Sequence, residues 1–263
     1  MLTLCHVFPT ADAEWECRFN KSSARNFLLM NMKLPLLLSA CLAGTWLPAA
    51  HAALVTVPGS SIKGGELVGG TFTEATPGTV AATNNHPAGE PPAASIDGVI
   101  TTKYLNFAKE DTGYIVIPSG GASIVTGIDF VTANDSTARD PASYILYGSN
   151  SVSILTASLF TLAGNGFTQI STGALALPNT GPNLTGNLAN SEGRGQPSSV
   201  TFANSTAYTS YILTFPTLRD TATANSMQIA EAVLTGTVVP EPSAAGFLIL
   251  SLLGALSGRR RQR

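Results

Sequence analysis

The sequence predicts an all-β protein whose body is a single antiparallel β-sandwich or jelly roll. Short runs of alternating or β-branched apolar residues recur along the chain, separated by Gly, Pro, Asn and Asp, which favour turns. No stretch outside the two chain ends has the apolar spacing of an amphipathic helix. About eight strands at this spacing are typical of a sandwich or jelly roll.

The strand pattern occurs in eight segments. Apolar residues at alternate positions indicate that one face of a strand packs on a core. This alternation is seen at Ile128, Phe130, Ile145 and Tyr147. The predicted strands are Leu67–Thr73, Tyr114–Ile117, Ile124–Val131, Ser143–Tyr147, Thr168–Ile170, Val200–Ala203, Tyr208–Phe215 and Ile229–Leu234.

The body between residues 53 and 239 is acidic and has no cysteine or tryptophan, because every Cys and Trp of the chain lies before residue 50. A body without cysteine needs no disulfide framework and has no thiolate for a metal, which suits an envelope or extracellular setting. Twelve acidic residues stand against six basic ones, with no basic stripe. This charge pattern argues against nucleic acid as a partner.

Residues 32–52 have the three parts of a secretory signal peptide. Lys33 supplies the positive start, residues 34–47 are an apolar run, and Ala50 and Ala52 are the small residues of a peptidase site. We therefore predict cleavage after Ala52. A competing interpretation is a lipoprotein signal ending at Cys41, but the apolar run before that cysteine is very short and continues past it.

Residues 1–31 are mixed and polar, unlike the start of a signal peptide. We predict that the true start is Met32 or Met30, and that this segment is a mis-assigned upstream start. The alternative is a short cytoplasmic leader.

The segment 238–263 combines a proline-rich motif, a short apolar run and a basic end. Residues of about 243–258 predict a transmembrane helix near the lower length limit of roughly 17 residues. The basic residues behind it favour retention on the cytoplasmic side of the inner membrane. They include Arg259, Arg260 and Arg261. A plain membrane anchor would have the same apolar run.

The order of these parts resembles the PEP-CTERM sorting signal of Gram-negative bacteria, with Pro240, Glu241 and Pro242 as its motif. The two prolines keep the motif extended and prevent the membrane helix from growing outward. The resemblance implies processing by an exosortase, a membrane protease acting near the motif, and an association with exopolysaccharide and biofilm. It predicts export across the inner membrane, transient anchoring, and then release to the cell surface or extracellular matrix.

A second resemblance covers residues 53–237, with its motifs in order from about residue 60. Together they resemble a discoidin-like, galactose-binding-type β-sandwich, although Tyr104 replaces the tryptophan that this family has after its Asp-Gly turn. The motifs are Ser95–Gly98, Thr102–Phe107, Gly127–Asp135, Arg139–Tyr144, Leu146–Ser149, Tyr211–Phe215 and Met227–Leu234.

The discoidin-like resemblance implies a structural calcium ion held by Asp97, Thr102 and Glu231. Calcium binds six to eight oxygen ligands, and two carboxylates with loop carbonyls would supply them. The alternative is that Asp97 only favours a turn with Gly98, while Glu231 is an exposed strand residue.

Other candidate sites are weaker. The Arg139–Pro141 segment predicts either a charged turn against Asn134 and Asp135 or a structural bend. Aromatic residues stack on sugar rings in many discoidin-like domains; Tyr104, Tyr114 and Tyr208 are candidates here, but aromatics in sheets are more often core residues. The body has one histidine, His86, and no nucleophile motif near it, so we assign no catalytic residue.

The leading hypothesis is therefore a non-catalytic surface or matrix protein that binds exopolysaccharide. One alternative is an envelope enzyme acting on glycans, which needs a pair of carboxylates in a cleft. The other is a purely structural biofilm component without a specific ligand.

Overall fold

A computed structural model describes residues 53–151, 156–178, 195 and 197–239. Within these ranges no helix is long and apolar enough to cross a membrane. The predicted leader, signal peptide, sorting motif, transmembrane helix and terminal arginines lie outside the described residues.

The regular secondary structure of the described residues is almost entirely β-strand, which confirms the predicted all-β class. Short 3₁₀ helices occur at Pro92–Ser95, Thr137–Arg139 and Ala163–Asn165. The strands are β1 (Ala53–Leu54), β2 (Ser61–Val68), β3 (Thr71–Glu74), β4 (Thr76–Pro77), β5 (Asn85–His86), β6 (Tyr104–Asn106), β7 (Thr112–Ile117), β8 (Ser123–Val131), β9 (Ser143–Ser149), β10 (Leu159–Thr161), β11 (Thr168–Ala174), β12 (Ser198–Thr201), β13 (Ser210–Phe215), β14 (Met227–Ile229) and β15 (Glu231–Val238).

Two antiparallel sheets form the sandwich. One has seven strands in the order β10-β3-β2-β7-β13-β9-β11, and the other has four in the order β1-β15-β8-β12. The short strands β6 and β14 pair beside them, with Tyr104 opposite Ile229. Strand β14 lies just before β15 in the chain, so its pairing with β6 brings the loop preceding β6 close to the start of β15.

The main core lies between the inner faces of the two sheets. The four-stranded sheet contributes side chains from β8 and β15, and the seven-stranded sheet contributes side chains from β7, β9 and β13. Buried core residues of these strands are Val125, Ile128, Phe130, Ala232, Leu234, Tyr114, Val116, Tyr144, Leu146, Tyr211, Leu213 and Phe215.

The prediction of one strand over Leu67–Thr73 was wrong. Gly69 and Gly70 both have positive φ angles, 56° and 76°, a backbone conformation that glycine adopts without steric cost. They form the turn of a hairpin in which Val68 pairs with Thr71. The segment therefore contributes the end of β2 and the start of β3.

The predicted core face of β9 was also wrong. Tyr144 and Leu146 face the main core, whereas Tyr147 packs against a second apolar cluster with Phe72 and Phe160. The chain crosses from β9 at one side of the large sheet to β10 at its opposite edge and returns to β11. Residues 157–167, here called the crossing segment, supply Ala157, Phe160, Leu162 and Phe167 to this second cluster. Apolar residues therefore occur on both faces of β9.

The predicted strand Ile229–Leu234 is divided in the structure. Ile229 ends β14, and β15 begins at Glu231 after Ala230, whose amide donates to the Val131 carbonyl at 3.0 Å. Strand β15 then continues to Val238. The break places Glu231 at the very start of a central strand, beside the loop that precedes β6.

Candidate functional site

The loop from Asp97 to Thr102 is closed by its own hydrogen bonds. The Val99 amide donates to Asp97 Oδ1 at 2.7 Å, and the Thr102 hydroxyl donates to Asp97 Oδ2 at 2.8 Å. Gly98 has a φ of 77°, in the left-handed region that glycine tolerates. The loop starts from Ile96 and ends before Tyr104, and both residues are buried in the core, so its two ends are firmly held.

Glu231 lies next to this loop and is only 4% exposed. Neither carboxylate oxygen has a hydrogen-bond partner among the described residues. Burial raises the pKa of Glu231 to about 7, and the neighbouring Asp97 carboxylate contributes to the rise. The backbone amides of Val99 and Gly98 offset part of this rise in pKa, although neither is placed well enough to form a hydrogen bond with Glu231. A buried carboxylate without partners is costly unless a proton or a cation neutralises it.

The structure thus brings together two of the three predicted calcium-site residues, Asp97 and Glu231. It places the Thr102 hydroxyl against Asp97 and, at 2.7 Å, against the Val99 carbonyl. Within the described ranges no three His, Cys, Asp or Glu side chains cluster as metal ligands. Backbone, hydroxyl or water oxygens would have to complete a metal site here, and such a donor set fits calcium better than zinc. Calcium binding itself stays a prediction.

A pocket of about 190 Å³ is lined in part by the same loop. It is smaller than the roughly 300–1,000 Å³ clefts that hold drug-sized ligands. Three segments of the chain form it: the turn before the first 3₁₀ helix, the residues around Thr102, and the loop after β8. The lining residues are Gly89, Glu90, Thr101, Thr102, Lys103 and Asn134.

Ion pairs organise the charged groups around this pocket. Lys103 Nζ lies 2.8 Å from Asp135 Oδ2, 3.3 Å from Gln228 Oε1 and 3.6 Å from Glu90 Oε1. Burial opposes the charge of Asp135, but the hydrogen bond and charge of Lys103, together with Arg139, hold its pKa below the usual value. The only cation lining the pocket within the described ranges is therefore shared between two carboxylates.

The segment Arg139–Pro141 combines both of its predicted roles. Arg139 forms the charged turn, with Nη1 3.4 Å from Asp135 Oδ2. Asp140 is fully buried, and its carboxylate lies 3.7 Å from Arg219 Nη2. Pro141 forms an isolated bridge with Leu218. One end of this segment thus supports the pocket, and the other fixes the start of β9.

The three candidate tyrosines do not line the pocket. Tyr104 and Tyr114 are fully buried, and their hydroxyls donate to the carbonyls of Gly113 and Ala232. Tyr208 packs edge-on against Tyr211 at a centroid distance of 6.2 Å. They act as core residues.

His86 is buried as well. Its Nδ1 lies 3.0 Å from the Pro87 carbonyl oxygen, and its ring meets Tyr104 edge-on at a centroid distance of 6.3 Å. These contacts fix the loop between β5 and the first 3₁₀ helix, from which Gly89 and Glu90 reach the pocket.

Sequence reasoning did not identify Glu90 or Lys103 as site residues, and it named Asn134 only as a neighbour of the turn at Arg139. Lys103 lies in the Thr102–Phe107 motif, beside Thr102, whereas Glu90 lies in a proline-rich loop with no motif of its own. The Leu105 amide donates to the Glu90 carbonyl at 3.3 Å. This contact with β6 holds Glu90 at the pocket and has no signal in the sequence.

Comparisons with known proteins give solved structures only; no protein-family model and no curated protein matches the chain. A family 32 carbohydrate-binding module from Clostridium perfringens NanJ, in complex with galactose, has a TM-score of 0.41 at 14% identity over 70% of this chain and 99% of its own. The family 32 module of Streptococcus pneumoniae EndoD has a TM-score of 0.41 at 12% identity, covering 69% and 98%. A striped bass (Morone saxatilis) serum fucolectin has a TM-score of 0.42 at 9% identity, covering 73% and 50%. At these scores the likeness assigns no function to this chain.

Proposed function

We propose that this protein is an exported, non-catalytic surface or matrix protein that binds a sugar unit of exopolysaccharide in the pocket at Glu90, Lys103 and Asn134. The observation that carries the proposal is the chemistry of that pocket. It offers a carboxylate, an ammonium group, an amide and threonine hydroxyls within about 190 Å³. Such groups pair with the vicinal hydroxyls of a sugar, and the volume suits one ring.

The same proposal includes calcium at the neighbouring loop. Asp97 and Glu231 would supply the carboxylates, and the Glu231 oxygens have no other partner among the described residues. Bound there, the ion would supply a charge that neutralises both groups, and it would join the loop before β6 to the start of β15.

The proposed pocket is tested by Glu90→Gln, which removes one charge and changes the shape little. A hydrogen bond to a charged group contributes about 1.5–3 kcal/mol, so we expect exopolysaccharide affinity to fall about tenfold or more. Glu66→Gln on β2 is the matched control, because Glu66 is partly exposed and does not line the pocket. The measurement is retention of the exported protein on immobilised exopolysaccharide from the producing culture. Equal retention of both variants, or none by the unmodified protein, would contradict the proposal.

An envelope enzyme acting on glycans is the rival function. Glu90 and Asp135 both approach Lys103 and so lie within reach of one another. However, a general acid needs a raised pKa, whereas the pKa of Asp135 is lowered, and Asp135 does not line the pocket. We expect no reducing ends to appear when the protein is incubated with exopolysaccharide. Their release, abolished by Glu90→Gln, would establish the enzyme instead. If neither binding nor hydrolysis is found, the protein is a structural component without a specific ligand.

Sorting through the C-terminal segment is the second part of the proposal. Val239, which precedes the motif in the sequence, is held to the domain, since its amide donates to the Ala122 carbonyl at 2.8 Å. We expect Glu241→Ala to leave the protein uncleaved and in the membrane fraction, because a protease that recognises the motif would no longer find the acidic residue between the two prolines. Cell fractionation and immunoblotting in the native host measure this. Normal processing of the variant would refute a PEP-CTERM role for the tail.

A further inference from the structure

One loop, Asp97–Thr102, is shared by the candidate calcium site and the pocket. Asp97 faces Glu231 at one end of the loop, while Thr101 and Thr102 line the pocket at its other end. The Thr102 amide donates to the Val99 carbonyl at 3.0 Å. The two sites are therefore joined by a short, internally bonded segment.

Thr102 is the residue of this loop that belongs to both sites. Its hydroxyl has two acceptors within reach, Asp97 Oδ2 at 2.8 Å and the Val99 carbonyl at 2.7 Å. A hydroxyl carries only one proton, so the two acceptors compete for it. A cation that takes up the negative charge of Asp97 weakens that acceptor and favours the carbonyl.

We propose that Thr102 is a positioning residue that couples occupancy of the Asp97–Glu231 site to the shape and rigidity of the pocket wall. The inference rests on the proposed function of these two sites. Its consequence is that calcium changes the affinity for the sugar by the same factor as the sugar changes the affinity for calcium, because coupling between two sites is reciprocal by thermodynamic necessity. Couplings of this kind typically change affinity about 5- to 150-fold.

The coupling can be measured without any sugar. The test is amide hydrogen exchange of the exported full-length protein, with and without Ca²⁺ at a concentration that calorimetry shows to saturate each variant. The informative amides are those of Thr102 and Glu90, which donate to the Val99 and Pro87 carbonyls. Asn165, in the short 3₁₀ helix Ala163–Asn165, serves as a reference far along the chain from the loop, and its amide donates to the Leu162 carbonyl. An amide in a short surface helix exchanges through local opening and does not require global unfolding. We expect Ca²⁺ to slow exchange at Thr102 and Glu90 about fivefold or more and to leave Asn165 unchanged.

The variants Thr102→Val and Thr102→Ser separate the hydroxyl from the shape of the side chain. Valine has nearly the same size as threonine but no hydroxyl. In this variant we expect Ca²⁺ to slow amide exchange at Glu90 by less than about twofold. Serine keeps the hydroxyl, and we expect it to retain the effect of the natural residue. Serine also tells a loss of coupling from a loss of folding, because it changes the same position while keeping the bonded group.

Three results would overturn the inference. In the natural protein, Ca²⁺ could bind without slowing amide exchange at Glu90. In Thr102→Val, Ca²⁺ could slow exchange at Glu90 as much as in the natural protein. Thr102→Val could also abolish Ca²⁺ binding, which would make Thr102 an essential ligand instead of a positioning residue. Failure of the proposed function looks different: exopolysaccharide is then not retained, whatever the exchange rates are.

Discussion

At the residue scale, Glu231 makes the stability of the protein depend on pH when calcium is absent. Its carboxyl has an ordinary pKa of 4.5 and one of about 7 in the folded protein. Between these values the folded state keeps a proton that the unfolded state has released, so stability falls as pH rises from about 4.5 to 7. Asp135, whose pKa is lowered, has the opposite effect, which is confined to pH values near and below 4.

We therefore expect Glu231→Gln to remove this fall. One pKa unit corresponds to about 1.4 kcal/mol, and solvent screening reduces the effect, so a change on the order of 1 kcal/mol is expected between pH 5 and 7. Thermal unfolding in EDTA at pH 5, 6, 7 and 8 measures it, with Glu66→Gln as the control. Added Ca²⁺ at about 10 mM, above the usual range for extracellular sites, should stabilise only proteins that keep Glu231. An unchanged pH profile in Glu231→Gln would show that another group is responsible.

At the scale of elements, the segment crossing the outer face of the large sheet depends on Phe160. This residue is 7% exposed and stacks on Phe72 and Phe167, with ring centroids 5.3 and 5.9 Å apart. Truncation of a buried phenylalanine leaves a cavity and costs about 3–5 kcal/mol. We expect Phe160→Ala to lower the free energy of unfolding by about 3 kcal/mol, near the lower end because β10 is an edge strand.

The neighbouring Leu159 supplies a control on the same strand. It is 61% exposed, so Leu159→Ala should change stability by no more than about 0.5 kcal/mol. Urea unfolding followed by circular dichroism measures both variants. Similar losses for the two would mean that the second cluster contributes little to folding.

The same segment explains why the sequence predicted some elements well and others poorly. Strand β8 packs on the main core, and strands β7 and β13 are buried on both faces, because Ile115 and Ile212 pack in the second cluster. Strands buried on both faces have near-continuous apolar runs, and these three strands were recognised within a few residues. Strand β9 carries apolar residues on both faces, because the crossing segment packs on its outer side, and alternation alone then gives no unique core face. Gly69 and Gly70 were recognisable as a turn, but the β-branched residues beside them favoured one continuous strand.

At the scale of the whole molecule, the candidate site was only half accessible to sequence reasoning. Asp97 and Glu231 were paired through a family resemblance, and the pairing of β6 with β14 brings them together. Glu90, Lys103 and Asn134 line the same pocket although they lie in separate parts of the chain. No sequence pattern predicts that they meet. Their meeting depends on tertiary contacts such as the hydrogen bond between Leu105 and Glu90, which no local pattern encodes.

The charge of the whole domain makes a last prediction about its ligand. Residues 53–239 carry twelve acidic and six basic side chains, and Lys103 is already shared between Asp135 and Glu90. An anionic sugar would meet an acidic domain and no free cation among the described residues that line the pocket. We therefore expect binding to neutral polysaccharides that is nearly independent of salt, and rejection of uronate-rich ones.

Retention on immobilised neutral and uronate-rich polysaccharides, at about 20 and 500 mM NaCl, tests this charge argument. Salt at the higher concentration shortens the Debye length to a few ångströms, so any rejection caused by long-range repulsion should weaken there. Retention on the uronate-rich polymer at low salt, lost at high salt, is the signature of a basic binding surface and would contradict the prediction. Rejection at both concentrations would place the discrimination inside the pocket, where Glu90 meets the sugar directly, and Glu90→Gln should then relax it.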